Sequence, residues 1–381
     1  MATLIVLAAL AAIAVVLHDG FEVILLPRRV SRGLRITRLF YTYTWRIWRA
    51  AACHLEVSKR RDWMLSWFGP LSSLGLFLLW ALILIVSFGA IHGALGTPMN
   101  TAGAWAPGPF DYAYFSGVTF FTLGFGDLAP TGPVGRILAV AEAGLGFAFL
   151  AVVISYLPVF YQAFSSREIA ISLLDARAGS PPRASSLLIR LAPSKNFEAL
   201  DRFLQEWERW AAQVLESHLS FPLLSYYRSQ HDNQSWLAAL TMILDASALV
   251  IAGVKGGDPY QAQLTFAMAR HAAVDIAQVF RARPSGPEVD RLPPEALASL
   301  LNVLRLAGLD VREPSAVEPK LAELRSLYEP FVAALSAYLL LPLPPIWAEA
   351  APVDNWQTSA WMKRAGGINQ LALAEPDDHD D

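Results

Sequence analysis

Between Thr119 and Pro130 the chain reads TFFTLGFGDLAP. Two glycines, Gly124 and Gly126, bracket Phe125, with the hydroxyl of Thr122 before them and the carboxylate of Asp127 after. Glycine takes positive φ without a steric penalty. A strand that alternates in backbone handedness can turn successive carbonyls to one side. Four copies of such a strand around one axis would stack rings of oxygens, and these can replace the hydration shell of a cation. The chemistry on offer is thus coordination of a dehydrated ion by main-chain oxygens.

Such a strand needs particular elements around it. Irregular backbone survives at membrane depth only where protein buries it or water fills the space beside it. The preceding run, FDYAYFSGVTFF, is about long enough for a short helix that enters and ends at the strand. Its C-terminal, negative end would favour a cation below. Long apolar segments stand on both sides. Leu71–Gly93 carries no charge and would be roughly 33 Å long as a helix. Val134–Phe164 carries one carboxylate, Glu142. A third candidate begins at Ala2 and reaches spanning length by continuing to Leu26, which places His18, Asp19 and Glu22 near its far end. It lacks a cationic start and a small-residue cleavage site, so it reads as an uncleaved helix.

Composition agrees with a membrane protein. Of 381 residues, 54% are hydrophobic and 17% charged, against about 45–50% and 25% on average. The net charge of −3 gives no sign of a nucleic-acid partner. The single cysteine, Cys53, excludes an intrachain disulfide. Cations set the expected orientation. Arg28, Arg29, Arg32, Arg35, Arg38, Arg46, Arg49, Lys59, Arg60 and Arg61 lie between the first two candidate spans, and none lies from Gly93 to Pro133. The cationic loop is therefore expected inside and the 93–133 segment outside. The N-terminus falls outside, and everything after Phe164 inside, in a multi-pass protein of the cell inner membrane.

The expected division is a spanning helix in 1–27, a cationic linker with an interfacial amphipathic helix in 28–70, a membrane domain in 71–164, a helical soluble domain in 165–370 and a disordered acidic tail in 371–381. In the linker, Phe40, Tyr41, Tyr43, Trp45 and Trp48 supply an apolar face, and Arg28, Arg29, Arg32, Arg35 and Arg38 meet lipid phosphates. Three-residue spacing of four of these arginines resembles a voltage sensor, but only one span precedes them. Trp236 to Val254 is apolar with Asp245 at its middle and reads as a buried helix of the soluble domain. His218, His231, Asp232, Asp245, His271 and Asp275 are scattered, without the converging spacing of a metal site.

The segment Thr122–Asp127, TLGFGD, resembles the signature of potassium channels, whose filter is four TVGYG loops. DLAPTGPVGRILAV, Asp127–Val140, is similar in spacing to the bacterial two-helix members of that family, including the Gly135–Arg136 pair that opens their inner helix. The resemblance covers about Leu71 to Phe164. It implies an all-α, homotetrameric pore that passes potassium passively, with no enzyme chemistry and no cofactor. It implies that the carbonyls of Thr122, Leu123, Gly124 and Phe125 bind potassium, that the Thr122 hydroxyl closes the innermost site, and that Gly126 and Asp127 complete the outer mouth. Gly146 falls at the family's hinge, and Leu150 and Ile154 at an inner-helix constriction; Pro158 removes a helical hydrogen bond one turn from the inner end and is either a second bend or a tolerated kink with no gating role.

Several residues depart from the family pattern. Leu123 replaces valine and Phe125 replaces tyrosine. Tyr114 and Phe115 stand where pore-helix tryptophans support the filter, and Val118 stands where some members carry a glutamate. Glu142 is an ionisable group within a span, placed either behind the filter or bonded to the pore helix. Two other readings stay open: a non-selective cation channel on the same fold, and a membrane-anchored sensor whose pore-like part does not conduct. The soluble domain has no recognisable regulator pattern, and any cytoplasmic ligand for it is unknown.

Overall fold

A computed structural model of the chain describes residues 1–24, 35–57, 59–101, 106–192, 197–231, 233–256, 258–286 and 289–349. Arg28, Arg29, Arg32, Asp232 and the 371–381 tail lie outside the described residues. The chain divides into two units, Met1–Gln162 and Ala163–Asp381.

The first unit contains α1 (Ala2–Ile24), α2 (Ile36–Cys53), α3 (Lys59–Ala94), β1 (Met99–Thr101), α4 (Pro109–Phe120), β2 (Leu128–Pro130) and the first part of α5 (Pro133–Ala178). α1, α3 and α5 are each long and apolar enough to cross a bilayer. α3 is the hub, with α1, α2 and α4 all packed on it. Their shared core joins Ile13 and Val16 of α1 to Leu76, Trp80 and Leu84 of α3 and Phe120 of α4.

One buried carboxylate ties three helices together. Asp19 of α1 accepts from the Trp80 indole of α3 at 3.1 Å, and from the Thr37 amide and hydroxyl of α2 at 3.0 and 2.6 Å. The first amides of a helix have no partner within it. Arg35, at the α2 N-cap, provides no side-chain cap, so a residue from another helix does so. Arg35 itself was expected at lipid phosphates. Instead its Nε lies 3.2 Å from Glu22 and 3.6 Å from Asp19, because two buried carboxylates need a counter-charge more than a lipid does. Part of the expected lipid-facing aromatic set is also turned inward. Trp45 is buried, edge-on to Phe68 at 4.8 Å, and the Trp48 indole donates to the Met64 carbonyl at 3.1 Å. Those rings dock α2 on α3, while Tyr43 stays exposed.

Among the described residues the second unit is built of helices and their connections, with an isolated bridge between Val254 and Val311. It comprises the end of α5, then α6 (Ala184–Leu191), α7 (Phe197–Ser220), a 3-10 turn (Pro222–Tyr226), α8 (Trp236–Gly253), α9 (Tyr260–Phe280), α10 (Pro294–Leu306), α11 (Pro314–Ser326) and α12 (Glu329–Leu339). α8 is apolar and long enough to span a membrane, yet nearly all of its residues are buried in protein. Its carboxylate explains why. Asp245 accepts two bonds from Arg291, at 3.1 and 2.5 Å, and one from the Tyr328 hydroxyl at 2.5 Å. Arg291 continues to Glu329 and to the Pro344 carbonyl. A paired charge of this kind pins loops and helices onto the central helix.

Candidate ion-conduction site

α4 starts at Pro109, where the fixed φ of proline suits a first helical turn, and the Asp111 carboxylate accepts the Gly108 amide at 2.8 Å. It ends through a defined motif. The Thr122 amide donates to the Thr119 carbonyl at 3.0 Å, and the Leu123 amide reaches back to Val118 at 2.9 Å. These two bonds form a Schellman cap, whose left-handed residue is usually glycine. Here it is Thr122, at φ 56°. Gly124 and Gly126 follow at φ 61° and 80°. The backbone therefore visits the left-handed region at every second residue from 122 to 126. Phe121 to Asp127 are all exposed in the single chain, including the apolar Leu123 and Phe125.

The ends of this segment are tied down. β2 pairs antiparallel with β1, Thr101 opposite Leu128 and Met99 opposite Pro130. Thr131 donates its amide to the Pro98 carbonyl at 3.0 Å. The strands are three residues each, too short for a period-2 pattern to show in the sequence. Thr97 is a further anchor, since its carbonyl accepts the Tyr112 hydroxyl at 3.0 Å and its hydroxyl lies 3.1 Å from His92.

Behind the segment, helices approach closely. A Cβ on Gly146 of α5 would strike the Phe120 carbonyl, the last residue of α4. A Cβ on Gly89 of α3 would lie 2.9 Å from the Ala113 Cα. Glu142 is fully buried and bonds to the Ser116 hydroxyl, which also lies 2.7 Å from the Ile85 carbonyl. This bond to α4 joins α3, α4 and α5 at one point.

The other sequence-derived residues fall as follows. Tyr114 faces Asp127, Phe115 is buried edge-on to His92 at 5.2 Å, and Val118 is buried. Leu145, Phe149, Val153 and Tyr156 turn one face of α5 onto the core. Leu150 is half-buried and Ile154 is 69% exposed. α5 continues through Pro158, which leaves the Ile154 carbonyl without its helical donor. Sequence reasoning missed Ser116, Tyr112, Thr97 and Gly89. The small residues at 89 and 146 on apolar helices were the available signal of close contact. Among the described residues no cluster of His, Cys, Asp or Glu could hold a metal ion.

A short helix that ends in a strand of alternating handedness, backed by two apolar helices, is the build of a pore. The family model described as an ion channel matches residues 76–163, and the chain belongs to that family of channel proteins. It is similar to an uncharacterized membrane protein, YdjJ of Bacillus subtilis (strain 168), at 25% identity over 268 residues, 67% of this chain and 74% of that protein. That alignment is longer than the whole 76–163 stretch. The chain is also similar to the protein LctB of Bacillus caldotenax, 32% identical over 96 residues, 22% of this chain and 69% of the relative. For LctB of Geobacillus stearothermophilus the figures are 33% over 112 residues, 29% and 79%. No solved structure matches the chain.

Proposed function

We propose that four copies of this chain form a potassium-selective pore, with potassium held by the carbonyls of Thr122, Leu123, Gly124 and Phe125. The observation that carries this reading is the alternation of positive φ at Thr122, Gly124 and Gly126, which suits carbonyls turned to one side. Exposure of Phe121 to Asp127 in the single chain is what a strand facing a symmetry axis requires. Asp127 would raise the local cation concentration at the mouth. Residues 71–164 would be the pore domain and 165–370 a regulatory domain. Support for regulation comes from α5, one helix from Pro133 to Ala178, which belongs to both units. Purified full-length protein in planar bilayers, with opposed potassium and sodium gradients, should reverse near the potassium limit. Reversal near zero would instead make it a non-selective cation channel. Absence of any current would leave a non-conducting sensor.

The proposed topology puts the N-terminus and residues 93–133 outside and the second unit in the cytoplasm. The cations before α3 and their absence from 93–133 support it. Cys53 is exposed, so labelling requires a Cys53→Ser background. In that background a cysteine replacing Thr101 should react with an impermeant thiol reagent on intact cells, and one replacing Leu306, which is exposed on the second unit, should not. The reverse pattern would overturn the orientation.

A further inference from the structure

Arg167 stands on α5 three positions after Phe164, and its side chain is 2% exposed. Its five guanidinium N–H groups are all accounted for. Nε and Nη2 meet Glu168 Oε1 at 2.9 and 2.8 Å. Nη1 donates to the Leu224 carbonyl at 2.9 Å and lies 3.3 Å from His218 Nε2, and Nη2 donates to the Tyr227 carbonyl at 2.8 Å. The guanidinium also lies 5.2 Å from the Phe164 ring centroid, and the Trp210 indole donates to the Arg167 carbonyl at 3.3 Å. One side chain of α5 is thus gripped by α7 and by the 3-10 turn with its following residue.

The geometry fixes the protonation of His218. Its Nδ1 lies 2.8 Å from the Val214 carbonyl, which only accepts, so Nδ1 carries the hydrogen. Arginine only donates, so Nε2 must present its lone pair. The ring is 1% exposed and packs on Trp236 of α8 at 4.7 Å. The charged groups at this socket are Arg167 and Glu168 of α5. α7 adds the Ser217 hydroxyl at 3.2 Å, the turn adds the Leu224 and Tyr227 carbonyls, and α8 adds only the indole. A second proton would place one N–H against another where no water can separate them.

We propose that Arg167 is the residue through which the second unit holds α5, and that His218 is a proton-operated latch on it: neutral His218 keeps Arg167 seated, and protonation at Nε2 releases it. This rests on the reading of α5 as the pore-lining helix. Burial first, and then the Arg167 charge, hold the imidazole well below 6.5. The folded protein therefore binds fewer protons here than the unfolded chain. The latch is fully closed above about 6.5 and is weakened progressively as pH falls below it.

The test uses full-length protein in planar bilayers, with pH on the second unit's side stepped from about 7.5 to about 5, across the imidazole range. Open probability should change several-fold in the wild type. His218→Gln retains an acceptor for Arg167 and a donor for Val214 but cannot take up the proton. It should keep the neutral-pH open probability and lose the acid response. Arg167→Met should be pH-insensitive and resemble the acidified wild type. A His218→Gln channel with an unchanged acid response, or a wild type with none, overturns the proposal. Hydrogen exchange over 163–178 and 221–228, corrected for intrinsic rates, provides a readout that needs no current. Exchange should quicken in Arg167→Met at neutral pH and in the wild type at low pH. If it does so in a protein that passes no current, the pore reading fails and the latch stands. If it does not, the latch fails whatever the current.

Discussion

Gly146→Ala is expected to abolish current and to cost the first unit about 3 kcal/mol, the upper range for overpacking. Alanine within a helix normally gains about 1 kcal/mol over glycine, so the sign itself is informative. At Gly146 the added carbon meets the carbonyl of Phe120, and the Phe120 Cα at 3.0 Å. These are main-chain atoms and cannot rotate away as a flexible side chain does. Phe120 is fully buried, tilted against Phe149 at 5.7 Å, and its displacement would carry Phe121 to Asp127 with it. Gly144, two residues away and on another face of α5, has nothing within 4 Å of the same added atom. Gly144→Ala should therefore melt no lower than the wild type. Thermal unfolding of the two purified variants, beside bilayer current, makes the comparison. A hinge alone at Gly146 predicts altered opening with unchanged stability. If Gly146→Ala melts like the wild type, the contact with Phe120 is not what the glycine serves.

The parts of this protein that could be read from its sequence are those in which one local rule decides. Apolar runs of spanning length point to α1, α3 and α5, and those helices are long and apolar enough to cross a bilayer. TLGFGD is legible because two glycines at alternate positions answer to a backbone requirement, and Gly124 and Gly126 do have positive φ. Asp245 in an apolar run pointed to a buried helix, and its ion pair with Arg291 agrees. What stayed hidden depends on partners distant in the chain. Asp19 and Trp80 are 61 residues apart, and nothing near Asp19 announces that it caps α2. Arg35 has the same local surroundings as the cations expected at lipid, and only the fold brings Glu22 to it. Ser116 is unremarkable among aromatic residues until Glu142, 26 residues later, arrives beside it. Thr122 was legible as a hydroxyl but not as a strained backbone position, since threonine gives no warning of positive φ.

That strain gives the second large effect. Thr122→Gly is expected to stabilise the protein while it removes selectivity, moving the reversal potential toward zero under opposed potassium and sodium gradients. A non-glycine residue in the left-handed region loses roughly 1–2 kcal/mol, and glycine's extra freedom in the unfolded chain returns roughly 0.5–1 kcal/mol of that. The net gain is about 0.5–1 kcal/mol, at the one position of the α4 cap where glycine is ordinarily found. A β-branched residue held there at φ 56° has a side chain whose value must exceed its backbone strain. Thr122 is exposed in the single chain, so packing within the chain does not supply that value. The hydroxyl, placed at the innermost ring of the proposed filter, does. Thr122→Ser separates the two parts of the side chain, since it keeps the oxygen and discards the methyl. It should reverse near the wild-type potential, with stability close to wild type. Should Thr122→Gly remain as selective as the wild type, the hydroxyl is not a potassium ligand, and the strained conformation of Thr122 has some other cause.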